Sequence, residues 1–157
     1  MPILDLDALG AALSTGKRLM GLDVGDKTIG IALSDSLLMT ASPVEVIRRT
    51  KFTADAEKLI ALIRAREAAG LILGLPVNMD GSEGPRCQSV RQFAANLLQK
   101  IDLPLAFWDE RLSTAAVERM LVDEMDVSRA RRREVVDKAA AAYILQGALE
   151  ALRTRRG

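Results

Sequence analysis

Two apolar runs, Arg18–Val24 (RLMGLDV) and Thr28–Leu33 (TIGIAL), are separated only by Gly25-Asp26-Lys27. A Gly/Asp turn of that length between strand-like runs predicts an antiparallel hairpin. A hairpin so early commits the chain to a sheet that later segments must join. Pro43–Ile47 (PVEVI) alternates and extends the hairpin to a third strand. The period then changes. Thr53 is placed to cap a helix whose apolar positions Ala56, Leu59, Ile60 and Ile63 follow helical spacing, with Gly70 at its end. Leu71–Leu75 reads as a buried strand stopped by Pro76. Pro85 suits the first turn of a helix with Val90, Phe93, Ala94, Leu97 and Leu98 on one face. Leu103–Trp108 reads as a strand, Ser113 caps a helix through Met125, and Ser128 opens a last helix, basic and then alanine-rich. A short helix at 5–15, closed by Gly16, precedes the hairpin.

The expected fold class is α/β. A three-stranded antiparallel meander continues into parallel strands through right-handed crossovers, giving a five-stranded mixed sheet with helices on both faces. The 157 residues match the size of a single domain, 1–157.

Composition removes several function classes. Half of the residues are apolar (49%) and 27% are charged, so the chain is not a disordered tail. No apolar run approaches the ~18 residues of a membrane span, so no membrane contact is expected. The start, MPILDLDALG, is acidic where a secretion signal is basic. Cys87 is the single cysteine, which excludes an internal disulfide and fits a reducing cytoplasm. There is no histidine. Chemistry must therefore run on carboxylates, lysines, hydroxyls or a metal held by oxygen. Charge is uneven: residues 129–157 hold 8 Lys+Arg against 3 Asp+Glu, on an otherwise acidic chain. A basic end of this kind suits either a polyanionic partner or a solvated helix.

Three acidic positions stand out. Asp23 lies inside a strand expected to be buried, where an ionised carboxylate needs a partner or a cation; it also suits tethering of the Gly25 turn. Asp109 and Glu110 close the strand ending at Trp108, and ligands gather at the carboxyl ends of strands in open α/β sheets. Alternation sends these two side chains to opposite faces, so one of them enters a given site, and Arg111 is placed to pair with the other. Glutamate's greater reach favours Glu110. Asp137 shares a helix stripe with Ala140, Ala141 and Ile144, small residues that allow close approach; an acid near a helix N-terminus is also favoured by the dipole alone. Converging oxygen ligands suit Mg²⁺ or Mn²⁺ and the hydrolysis of phosphodiesters.

Gly21-Leu-Asp-Val-Gly25, Ile29-Gly-Ile-Ala-Leu-Ser-Asp35, Gly74-Leu-Pro76, Asp80-Gly-Ser-Glu-Gly-Pro85, Phe93-Ala94, Trp108-Asp-Glu-Arg-Leu-Ser-Thr114 and Val136-Asp-Lys-Ala-Ala140 occur in order. Together they resemble the YqgF family, also called RuvX, from Arg18 to about Gly147. The resemblance implies an RNase H-like fold related to Holliday-junction resolvases. It also implies a cytoplasmic nuclease maturing the 5′ end of pre-16S ribosomal RNA, with Asp23, Glu110 or Asp109, and Asp137 as its acidic site. Where the family often has Arg in the first turn, this chain has Thr28 after Lys27, one fewer fixed cation beside the acids. The loop Asp80–Arg86 runs into a helix N-terminus and could offer N–H groups to a phosphate, although Asp80 and Glu83 could instead order it. Lys27, Arg86, Arg91, Arg111, Arg129, Arg131, Arg132 and Arg133 are the candidate contacts to nucleic acid, either a pre-ribosomal RNA or branched DNA. A monomer or weak homodimer is expected.

Two other classes compete. Asp23-Val-Gly25 followed by Gly30 also resembles the first phosphate loop of actin-like ATPases and sugar kinases, which need two lobes where this chain has one. An RNase H-like module that docks on RNA without hydrolysis has no need of three converging acids.

Overall fold

The structure, a computed structural model, describes residues 3–112 and 129–156, with side chains over 3–111 and 139–154. A short helix α1 (Leu6–Ala12) leads into the meander β1 (Arg18–Val24), β2 (Thr28–Ser34) and β3 (Ala41–Arg48). Helix α2 (Phe52–Ala65), strand β4 (Ala68–Leu75), helix α3 (Pro85–Leu98) and strand β5 (Leu105–Asp109) follow. A 3-10 turn (Glu110–Leu112) ends β5, and helix α4 (Arg129–Arg156) ends the chain's described part. The sheet order is β3-β2-β1-β4-β5. β1 pairs antiparallel with β2 and β2 with β3, whereas β4 runs parallel to both β1 and β5. The expected mixed five-stranded sheet is what the chain forms. The expected helix Ser113–Met125 lies outside the described residues.

Side-chain alternation divides the core in two. Met20, Leu22 and Val24 of β1, with Leu71, Leu73 and Leu75 of β4, pack under α2 and α3 against Leu59, Ile63, Phe93 and Leu97. Leu19, Ala32, Ile72 and Ala106 face the other way, under α1 and α4, against Leu9, Ile144, Leu145 and Leu149. Burial of each such Leu or Ile side chain stabilises the fold by about 1.5–3 kcal/mol.

Both sheet edges are managed. Edge strand β3 exposes Pro43, Glu45 and Arg48, a proline and charges that discourage pairing with another chain. At the other edge Ile3 bridges Leu105, and the Leu4 N–H donates to the Leu105 carbonyl at 2.8 Å. Among the described residues no helix is long and apolar enough to cross a membrane.

Several expected boundaries move: β4 starts at Ala68 and not Leu71, β5 spans Leu105–Asp109 and not Leu103–Trp108, and α2 shifts at both ends. α2 begins at Phe52, before Thr53, because Asp55 reaches back to the Thr50 N–H (3.1 Å) and hydroxyl (3.2 Å) and shapes the entry to the helix. α2 ends at Ala65, well before Gly70, with Glu67 adopting φ +56°, the left-handed conformation that usually falls to glycine. Gly70 lies inside β4, where the absence of a Cβ leaves room for Leu19 and Leu9.

Candidate active site at the carboxyl ends of the strands

Alternation fixes which acids can meet. Gly21 faces α4: a Cβ there would lie 2.7 Å from the Leu145 Cβ. Asp23, two residues on, shares that face and is half-buried. On β5, Ala106 and Trp108 belong to the same α4 side, so Glu110 follows them at the next outward step. A side-chain hydrogen bond joins Glu110 to Asp23, although β4 lies between their strands. Neighbouring strands sit about 4.8 Å apart, so the two acids meet over a gap of roughly 10 Å between backbones. Burial pushes the Glu110 carboxyl up from its ordinary value; the Arg86 guanidinium and the bond to Asp23 oppose this, and the Asp109 charge adds to it.

Asp109 turns to the opposite side and binds Arg111. The Arg111 Nη2 lies 2.6 Å from Oδ2, Nε lies 3.1 Å from Oδ1, and the Arg111 N–H donates to Oδ1 at 3.0 Å. The guanidinium holds the Asp109 carboxyl below the usual carboxylate range. Arg111 Nη1 also donates to the carbonyls of Asn78 (3.4 Å) and Met79 (3.2 Å), tying the end of β5 to the loop after β4.

That loop is closed on itself. Asp80 Oδ1 accepts from the Ser82 N–H (2.9 Å) and hydroxyl (2.6 Å), and the Asn78 N–H donates to the Ser82 carbonyl (2.9 Å). Gly81 has φ +92°, which only glycine adopts cheaply. Glu83 takes Arg91 in a two-point pair (2.7 and 2.8 Å), and the Arg91 guanidinium stacks 4.9 Å from the Phe107 ring centre. Asp80 and Glu83 thus order the loop, and Arg91 and Arg111 each hold a carboxylate. Lys27 and Arg86 are exposed. The side chains of Asp137, Arg129, Arg131, Arg132 and Arg133 lie outside the described residues, although α4 includes all five positions. Among the described residues no group of three potential ligands gathers. The Cys87 thiol is buried, and burial pushes it up, away from nucleophilic use.

Three supports escape the sequence reading. Arg49 Nη1 donates to the Gly25 carbonyl at 2.7 Å, bracing the turn that follows Asp23, while Nε stands 3.9 Å from the fully buried Asp55. Gln146 of α4 accepts from the Ala41 N–H (2.9 Å) and donates to the Met39 carbonyl (3.1 Å), pinning the β2–β3 connection. A Cβ on Gly74 would overlap the Ile144 side chain. A basic pair next to a strand end (Arg48-Arg49) is the signal that could have pointed to the first. The other two need the tertiary packing.

A family model described as RuvX, Holliday junction resolvase, matches residues 17–151. The chain belongs to the RuvX family. It is 61% identical over 156 residues to a relative from Rhodospirillum rubrum named as a candidate pre-16S rRNA nuclease, covering 99% of this chain and 97% of the relative. A relative of the same name from Paramagnetospirillum magneticum is 63% identical over 150 residues, covering 96% of each chain. Among solved structures, the RuvC resolvase of Thermus thermophilus bound to a Holliday junction superposes with a TM-score of 0.54 at 12% identity, covering 90% of this chain and 96% of that one. The fowlpox virus resolvase with its junction DNA gives a TM-score of 0.53 at 9% identity over 86% and 98%. This RuvX-family chain therefore shares the RNase H-like fold of those resolvases.

Proposed function

We propose that this RuvX-family chain is a metal-dependent nuclease that hydrolyses phosphodiester bonds and acts in the cytoplasm on the 5′ end of pre-16S ribosomal RNA. The observation that carries this reading is the Asp23–Glu110 pair, two carboxyls from separate strands in hydrogen-bond contact at a half-buried sheet end. Two carboxyls share a hydrogen bond only through a proton, and burial favours keeping one there. A divalent cation satisfies the same pair better, and oxygen-only donors suit Mg²⁺ or Mn²⁺. The residues fit such an ion: Asp23 and Glu110 would hold it, with Asp137 of α4 as the third ligand. When bound, it activates water and neutralises charge building on the phosphate. Arg86 biases Glu110 toward its ionised form and, with Lys27 and the Arg129–Arg133 segment, draws in the phosphate backbone. Arg91 and Arg111 serve by ordering the loop beside the site. The names of the close relatives support RNA as the substrate.

The test is cleavage of a pre-16S RNA fragment and a synthetic four-way DNA junction side by side, with Mg²⁺ or Mn²⁺ and with Asp23→Asn as control. RNA cleavage lost in EDTA and in the variant is expected. Cleavage of the junction alone would move the substrate to DNA. Binding without cleavage of either would leave a docking module.

A further inference from the structure

We infer that Gly74 is a positioning residue for the acidic pair: its missing side chain lets Ile144 seat on the sheet and so sets the height of α4 over the sheet end. This deepens the nuclease reading and rests on it for its functional consequences.

The register makes the case. Gly74 pairs with Trp108 on one side. On the other, β4 runs parallel to β1 with Leu22 opposite Leu73, and one further step sets Gly74 beside Asp23. Asp23, Gly74 and Trp108 thus form one row across three strands, on the face that α4 covers. Glu110 reaches Asp23 across this row and the one beyond it. A side chain at position 74 would rise between them.

The helix fills that place instead. Ile144, fully buried, seats over Gly74 so closely that a Cβ would overlap it. Adjacent contacts are close too: a Cβ on Gly21 would lie 3.0 Å from the Ala141 carbonyl, and one on Gly147 would lie 2.9 Å from Trp108 Nε1. The Ala141 contact is with helix backbone, which cannot swing aside as a side-chain end can. Asp137 precedes Ile144 by seven residues, two helical turns, so the seat of Ile144 governs where that part of α4 stands. A methyl at position 74 pushes on Ile144, lifts α4 and crowds Asp23.

Gly70 provides the matched control. It lies on the same strand and the same face, and a Cβ there would approach Leu19 to 2.8 Å. Four residues separate it from Gly74, about 13 Å along the strand.

The experiment compares Gly74→Ala, Gly70→Ala and the double variant Gly74→Ala/Ile144→Val, using melting temperature, Mn²⁺ titration calorimetry, RNA cleavage and Trp108 fluorescence. Both single variants lose stability. Only Gly74→Ala should lose Mn²⁺ affinity, by about 10–100-fold as when a ligand's support is removed, with a parallel fall in cleavage. It alone should shift the emission of Trp108, the single tryptophan, without any metal present. The double variant should recover both. Equal losses in Gly70→Ala, or unchanged affinity and emission in folded Gly74→Ala, overturn the inference. If Gly74→Ala does not fold, the double variant should fold and match Ile144→Val alone in affinity and emission, because the clashing Ile144 Cδ1 is gone; a double variant that differs from Ile144→Val in either overturns it. If the wild type neither binds Mn²⁺ nor cuts, the nuclease reading falls, and Trp108 emission alone decides whether Gly74 seats the helix.

Discussion

Arg111 Nη2 stands 2.6 Å from the Asp109 carboxylate while the neighbouring Glu110 bonds across the sheet to Asp23. Adjacent acids therefore have separate duties, divided by the pleat of one strand. Glu110→Gln is expected to lower cleavage on the order of 10²-fold or more, as loss of a metal ligand removes several kcal/mol of transition-state stabilisation. Asp109→Asn should leave most of the activity. Its partly exposed pair contributes at most about 0–1 kcal/mol, read as a small fall in urea midpoint. Reversal of the two activities would exchange the roles.

Glu110 also gives a pH signature. Burial raises its folded carboxyl above the unfolded value. Such a group favours folding below the unfolded pKa, and that contribution is lost as pH rises through the raised value. Glu110→Gln without metal should therefore be more stable than wild type at neutral pH, the difference shrinking toward pH 4. Asp109 works in the opposite sense: Arg111 lowers its carboxyl, so its contribution is present above the ordinary carboxylate range and fades in acid. Melting curves from pH 3 to 8 on the two variants check both signs.

Asp23→Asn should abolish cleavage while the metal-free protein keeps or gains stability, since clustered acids burden the unloaded fold. Mn²⁺ should raise the melting temperature of the wild type and not of the variant. A variant that fails to fold would show Asp23 to be a structural tether of the Gly25 turn.

Salt dependence separates the arginines. Arg86→Ala, and the joint change of Arg129, Arg131, Arg132 and Arg133 to Ala, should flatten the dependence of RNA affinity on salt, by up to about 0.7 log units per log unit for each lost single-strand contact. Arg91→Ala should leave the slope unchanged and lower stability instead, because Glu83 and the Phe107 ring already engage that guanidinium.

Asp55→Ala removes the acceptor of the Thr50 N–H and hydroxyl and the nearby charge facing Arg49. Losing these bonds to a charged, buried acceptor should cost about 1.5–3 kcal/mol in denaturant unfolding. Because Arg49 braces the carbonyl of Gly25, a weaker metal response should accompany it.

These residues also mark how far the sequence could be read. The hairpin was legible because Gly25-Asp26-Lys27 interrupts two apolar runs, and Asp23 stood out as a charge within one of them. The meander and the parallel crossovers followed from the change of period after Ile47. Alternation along β5 could not choose between Asp109 and Glu110, because both faces of the sheet are apolar; the choice needed Trp108 against Gly147 of α4. The Asp109–Arg111 pair was legible from adjacency, whereas the Glu83 partner of Arg91 and the Asn78 and Met79 carbonyls held by Arg111 depended on how the loop from Pro76 to Gly84 folds back, which no short-range pattern encodes. Asp55, in the first turn of α2, is fully buried, and nothing in its spacing marks it out. The expected end of α2 at Gly70 failed because Glu67 makes the left-handed step itself.

Gln146 bonds to backbone groups of Met39 and Ala41, more than a hundred residues earlier, and the helix that bears it covers the face carrying Asp23. A ribosome synthesises that helix after every strand of the sheet. Until Ala139–Leu152 emerge, Leu19, Ala32, Ile72 and Ala106 have, among the described residues of this cluster, mainly Leu6 and Leu9 of α1 and Leu38 as cover. Nascent chains with one bare apolar face are open to aggregation and to chaperones. The second face of the sheet is thus closed only after all five strands have been made, and the acidic pair gains its roof in that same step.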